Sequence, residues 1–284
     1  MNFIAVLLIK KKYFSKEEIK QTILDISTYI EQVEKLIILN LSKEDIFELR
    51  EKLKRFPNII YIEDEDKGEV YNYHNAICYA NTNGADFVTI MELGYFYEES
   101  NYLMLKRYAI ENPDTAIITP TPLFSCEESK RQDVETREIM GCHLIGTLIN
   151  VKYYKERGFV EKYYQTTFDY EYCLFQRNLK RKIVLVVNSF LKNANYKIIE
   201  KRILFMKTYT YDHDILDIYY QTRNKHYLWD DYQLIDPDFV KLDKKEFKKE
   251  IQEMKAKDRN YRDKKVMIDR AMIDYRLGKI GKKE

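Results

Sequence analysis

The sequence predicts an α/β protein with a Rossmann-like, mostly parallel sheet, flanking helices and a helical C-terminal extension. Three observations carry this. Apolar, β-rich runs alternate with amphipathic segments over the first two thirds of the chain, as in βαβ units, because parallel strands need a crossover that is usually helical. A chain of 284 residues, 45% of them hydrophobic, can bury one large core. From about Lys201 the β-rich runs give way to helix-like periodicity with dense charge. Residues 1–200 are therefore expected to form the α/β domain and 201–284 the extension.

Phe3–Ile9 is an apolar run of strand length. Ser15 before Lys16-Glu17-Glu18 is an N-cap signal for a helix over Lys16–Tyr29. Lys35–Leu39 is the next strand, and Ser42 before Lys43-Glu44-Asp45 predicts a helix over Lys43–Arg55. A strand over Asn58–Ile62, a helix near Val70–Thr82, a strand over Phe87–Met91, a helix near Ser100–Glu111 and a strand over Thr115–Thr119 continue the alternation. Ile183–Val187 is a late strand.

A net charge of +2 is too balanced for a general nucleic-acid binder. No apolar run approaches the roughly 20 residues of a membrane span, and Phe3–Ile9 has no small-residue cleavage site after it, so a soluble, unexported, cytoplasmic protein is expected. Cys78, Cys126, Cys142 and Cys173 lack CxxC spacing and read as reduced thiols. His74, His143, His213 and His226 lack HExxH spacing and read as polar surface or core residues. Residues 241–284 hold 16 Lys and Arg against 9 Asp and Glu. This surplus is either a solvated face or a surface for anionic lipid at the inner face of the cell membrane, where each basic residue contributes about 1 kcal/mol.

Ala85–Tyr97 reads as a buried strand running into a loop that carries one carboxylate, Glu92. Upstream of it stand Asp66, Gly68, Asn75 and Gly84-Ala85-Asp86. Further on, Gly146–Val186 contains a Gly158-Phe159 turn leading to Asp169-Tyr170-Glu171, and "YYQTRN" (Tyr219–Asn224) and "MIDYRLGKIGK" (Met272–Lys282) close the sequence. In this order the segments resemble the family 2 glycosyltransferases, in particular the rhamnosyltransferase-like and galactofuranosyltransferase-like branch. The resemblance implies a GT-A fold, a nucleotide-sugar donor, and inverting transfer to a bacterial surface polysaccharide or lipid-linked glycan.

By that resemblance Asp169 is the catalytic base, Asp66, Gly68 and Asn75 lie on the donor side, and Gly146, Thr147 and Glu171 lie on the acceptor side. The sequence departs from the family at the nucleotide and metal positions. Leu39, followed by Asn40, stands where an Asp closes the second strand, and Asn193 stands nearest to a late His. Phe175 replaces an Arg, and Glu92-Leu93-Gly94 replaces Asp-x-Asp. Mg²⁺ or Mn²⁺ wants two or more oxygen ligands besides a diphosphate, and Glu92 supplies one. Asp64-Glu65-Asp66 and Asp212-His213-Asp214 are literal Asp-x-Asp triplets, the latter in the position of a helix cap. Lys10, Lys11 and Lys12 follow the first strand at the edge where open α/β sheets bind ligands, and would supply positive charge there. Twenty-five Tyr and 14 Phe offer faces for sugar rings, among them Tyr153-Tyr154 and Tyr163-Tyr164. The rival reading is a non-catalytic glycosyltransferase-like protein that binds glycan, a partner glycosyltransferase or a second copy of itself.

Overall fold

Every residue of Phe3–Ile9 is buried, which requires a strand covered on both faces. The computed structural model shows how, for all residues except 45, 99, 125–134, 195–197, 204–205, 212–213, 259 and 284. The elements are β1 (Phe3–Ile9), α1 (Lys16–Ser27), β2 (Lys35–Asn40), α2 (Phe47–Leu53), β3 (Ile59–Glu63), α3 (Glu69–Thr82), β4 (Phe87–Glu92), β5 (Tyr95–Tyr97), α4 (Asn101–Glu111), β6 (Ile117–Phe124), β7 (Thr136–Glu138), β8 (Leu148–Asn150), α5 (Val151–Tyr154), α6 (Phe168–Asn178), β9 (Ile183–Asn193), β10 (Ile198–Ile203), β11 (Met206–Tyr211), α7 (Ile215–Tyr232), α8 (Pro237–Lys257) and α9 (Tyr261–Arg276).

The main sheet has the order β3-β2-β1-β4-β8-β6-β9-β5, with β7 also on β9. Strands β3, β2, β1 and β4 are parallel, β8 runs antiparallel between β4 and β6, and β6 and β9 are parallel. Alternate residues of β1 enter opposite cores. Ile4, Val6 and Leu8 pack with α3, α6, α7 and α8, whereas Phe3, Ala5, Leu7 and Ile9 pack with α1, α2 and α4. Leu228, Trp229, Phe239 and Phe247 of the C-terminal helices therefore belong to the same core as β1.

Three sequence expectations are corrected here. Ser15 does cap α1, in a capping box with Glu18, but Ser42 caps no helix. Its hydroxyl bonds the Asn40 side chain instead, and α2 starts only at Phe47. The β-rich pattern continues past Lys201 as the antiparallel hairpin β10–β11, with side-by-side pairing from Ile198 and Tyr211 to Ile203 and Met206. Strand β6 runs on to Phe124 despite Pro120 and Pro122, because beyond Ile118 its described pairing is with β9 alone, across a register shift after Pro120. No helix among the described residues is long and apolar enough to cross a membrane.

Candidate active site

Parallel pairing sets Leu8 beside Glu92, so the residue after β1 and the last residue of β4 meet at the carboxyl edge of the sheet. Lys10 Nζ lies 3.1 Å from Glu92 Oε1. Burial works to lower the Lys10 pKa, but Glu92, Glu69 and Asp66 outweigh it and the ammonium is held above its ordinary value. Lys11 turns to Glu18 on α1, and Lys12 is exposed.

The turn into α3 brings a second carboxylate to the same place. Asp66 Oδ1 accepts from the Gly68 N–H (3.1 Å) and from Asn72 Nδ2 (2.8 Å). Gly68 has φ 107°, and a Cβ there would stand 2.4 Å from the Tyr164 ring, so glycine is required on both counts. Asn75 Nδ2 donates to Asp64 Oδ2 (2.8 Å), the residue that follows β3. Glu69 begins α3, half-buried, and its pKa is pushed up to about 7, first by desolvation and then by Glu92, against the pull of Lys10 and the Thr166 N–H.

Asp169 lies in the first turn of α6, where Thr167 and not Asp169 is the N-cap residue. Its Oδ1 accepts the Tyr170 N–H at 2.8 Å and its Oδ2 is 2.6 Å from His143 Nδ1. Asp169 is 6% exposed, while the His143 ring stands outermost with its side chain 76% exposed. Desolvation opposes protonation of His143, but the adjoining Asp169 carboxylate prevails and lifts its pKa to about 9. Asp169 also acts on Glu69 and on the buried Tyr73 hydroxyl, which is pushed well above its ordinary value by burial and then by Glu92 and Glu69. Glu92 and Asp169 are thus both near enough to act on Glu69 and on the Tyr73 hydroxyl.

The segment entering α6 is strained. Tyr164, Thr166 and Thr167 have φ of 51°, 58° and 67°, each costing about 1–3 kcal/mol for a residue with a Cβ. Contacts from several elements offset this. The Thr166 N–H donates to Glu69 Oε2 (2.9 Å), the Val70 N–H to the Tyr164 carbonyl (3.1 Å), and Gln165 Nε2 to Asp217 on α7 (2.6 Å).

The remaining predicted residues brace the site. Gly146, at φ 65°, sits so close to Leu191 that a Cβ would come within 2.4 Å, and its carbonyl accepts from Tyr97 Oη at 2.6 Å. The fully buried Thr147 hydroxyl lies 3.0 Å from both the Thr119 hydroxyl and the His143 carbonyl, which fixes the His143 turn. Glu171 points inward to Arg157 (2.5 Å) and Tyr232 Oη (2.7 Å). Asn193 closes β9 opposite Tyr95, three residues after Glu92. Asn40, not Leu39, ends β2, and its amide is engaged by Ser42, Glu44 and Glu63. Tyr153, Tyr154 and Tyr163 are buried, and Tyr164 packs on Tyr220. Asp214 caps α7; Asp212, His213 and Cys126 lie outside the described residues.

Sequence reasoning missed His143 and Glu69. His143 is 26 residues from Asp169, a separation with no local pattern. Glu69 directly follows Gly68, and the carboxylate at the start of a helix was the available signal. The residues do not fit a resident metal ion: among the described residues no three His, Cys, Asp or Glu are gathered to hold one, and Glu92 is engaged by Lys10.

No protein-family model and no curated protein matches the sequence. Among solved structures the chain is similar to GalNAc-T7 with UDP, GalNAc and Mn²⁺, at a TM-score of 0.56 and 9% identity over 82% of this chain and 49% of that one. It is also similar to residues 1–349 of S. aureus TarS in complex with UDP, at a TM-score of 0.53 and 9% identity over 97% of this chain and 72% of that one. The chain thus spans about half the length of the first. These likenesses show the fold, which is that of the GT-A glycosyltransferases.

Proposed function

We propose that this protein is a glycosyltransferase that moves a sugar from a nucleotide diphosphate donor to a hydroxyl of a bacterial surface polysaccharide or lipid-linked glycan, with inversion. The observation that carries this reading is the gathering of Lys10, Glu92 and Glu69 at the carboxyl edge of β1 and β4, with Asp169 near enough to act on Glu69. In the proposed step the acceptor oxygen bonds the anomeric carbon as the bond to the diphosphate breaks, and the hydroxyl proton passes to Asp169. His143 orients the carboxylate, and Lys10, aided by Lys12, offsets charge on the departing diphosphate. No step is assigned to a metal.

UDP is the first donor nucleotide to try, because both similar structures hold it. In a thermal-shift screen of nucleotide sugars with and without Mn²⁺, a donor at about 100 times its Kd stabilises the native state by ~2.7 kcal/mol. A flat response across the screen would end the donor-binding reading. Lys10→Gln should weaken the donor found by roughly 10–100-fold, the range of a charged hydrogen bond, and Lys11→Gln should not. Equal affinities in the two variants would remove Lys10 from the diphosphate site.

The second reading, a non-catalytic binder of glycan or of a partner glycosyltransferase, is favoured by the engagement of both carboxylates: Glu92 by Lys10, and Asp169 by His143.

We also propose that α9 rests on the inner leaflet. Val266 and Ile273 on this helix and Leu277 just past its end form an exposed apolar stripe, beside which stand Arg262, Lys265, Arg270 and Arg276 together with Asp263 and Asp269. Binding to vesicles containing phosphatidylglycerol should exceed binding to phosphatidylcholine alone and fall with salt. Equal binding to both would refute the placement.

A further inference from the structure

The two C-terminal signatures meet behind the strained segment. Asn224 on α7 is fully buried, and its Nδ2 donates to the carbonyls of Tyr163 (2.6 Å), Gln165 (2.7 Å) and Thr166 (3.5 Å). Its Oδ1 accepts from Arg223 Nε and Nη2, both at 3.2 Å. Arg223, 1% exposed, is itself fixed by the Gly281 carbonyl (2.7 Å) and lies over the rings of Tyr219 and Tyr220. The Gly281 N–H in turn donates to the Lys162 carbonyl at 3.0 Å.

We propose that Asn224 is a positioning residue for Asp169: through the carbonyls of residues 163–166 it holds the strained segment that delivers Asp169 to the site. The inference rests on the reading of Asp169 as the base, and deepens it. Arg223 can only donate, so it fixes the orientation of the amide, with the oxygen toward the guanidinium and the nitrogen toward the carbonyls. The backbone at Tyr164, Thr166 and Thr167 is left-handed. The Tyr163 and Thr166 carbonyls also accept the Gln165 and Phe168 N–H groups, so it is the Gln165 carbonyl, 2.7 Å from Asn224 Nδ2, that depends most on the amide. The same segment sets the first turn of α6. The Phe168 N–H bonds the Thr166 carbonyl (2.8 Å) and the Glu171 N–H bonds the Thr167 carbonyl (3.0 Å), with Asp169 between them. Loosening the segment therefore rotates Asp169 away from His143. Asn224 lies 55 residues beyond Asp169 in the chain, yet its three hydrogen bonds reach the segment that carries it.

The test needs no donor, so its outcome is separate from that of sugar transfer. Asn224→Asp in the full chain keeps the shape and the acceptor facing Arg223 but sets an oxygen against the three carbonyls. His143 is followed by NMR titration, with Asp169→Asn as the reference for complete loss of its partner. Wild-type His143 should titrate near pH 9, and in Asn224→Asp it should fall by a unit or more toward its ordinary 6.5. Gln165→Ala is half-buried and removes only the link to Asp217, so it should shift His143 less, in the same direction, and it decides the matter if Asn224→Asp fails to fold. A role confined to stability would lower the melting temperature of either variant without moving His143. An unshifted His143 in whichever variants fold, or a wild-type His143 that titrates near 6.5, overturns the proposal.

Discussion

On the proposed reading, Asp169→Asn should lower sugar transfer by roughly 10²–10⁴-fold while donor binding persists, because the amide keeps the shape of the carboxylate but cannot take the acceptor's proton. The Tyr170 N–H still finds an oxygen acceptor, so the first turn of α6 stays in place. His143 loses the carboxylate that lifts it to about 9. At neutral pH it is then largely uncharged, and the site loses a positive charge together with the carboxylate. Glu92→Gln acts elsewhere, on Lys10, and changes donor affinity more than turnover. The measurement is transfer to the native acceptor in membranes of a strain lacking this protein, supplied with wild type or either variant. Full complementation by Asp169→Asn would end the reading of Asp169 as base and leave the non-catalytic one.

Arg157→Met destabilises the fold by about 3 kcal/mol, the lower end of the 3–5 kcal/mol expected when one partner of a buried ion pair is removed. The lower end applies because the Arg157 side chain is 28% exposed while Glu171 is only 3% exposed. Tyr232 alone cannot compensate the stranded carboxylate. The double variant Arg157→Met/Glu171→Gln should recover most of the loss, since no unpaired charge then remains. Denaturant unfolding measures both, as a lowered midpoint with an unchanged slope in the single variant. A loss under about 1 kcal/mol would mean that Glu171 is not braced by Arg157 and is free to serve the acceptor side.

The alternating half of the fold was legible in the sequence because strands buried on both faces are uninterrupted apolar runs, as in Phe3–Ile9, and because Ser15 and Glu18 form a capping box readable from four residues. Ser42 misled because the same serine-before-acid pattern also serves a turn, here closed by Asn40. The short strands β5, β7 and β8, of three residues each, are too brief to leave a period, and pairing defines them. Within the site, Glu92 and Asp169 were visible as carboxylates at a strand end and a helix start. Lys10 was visible as a cation at the sheet edge, but its partner was not, since contact between β1 and β4 spans 82 residues. His143 carried no sign at all, because its neighbour is set by two turns from different parts of the chain.

The anchoring of Arg223 by the Gly281 carbonyl, 58 residues further along, and of Lys162 by the Gly281 N–H ties the entry to α6 to a segment translated well after it. On the ribosome the N-terminal strands emerge first and begin to collapse, as domains generally do during synthesis, while residues 163–167 wait for partners that are still to be translated. Glu69 and Asp169 can be present in a nascent chain without being set against each other. A fragment released before residue 281 leaves Lys162 and Arg223 without their Gly281 partners.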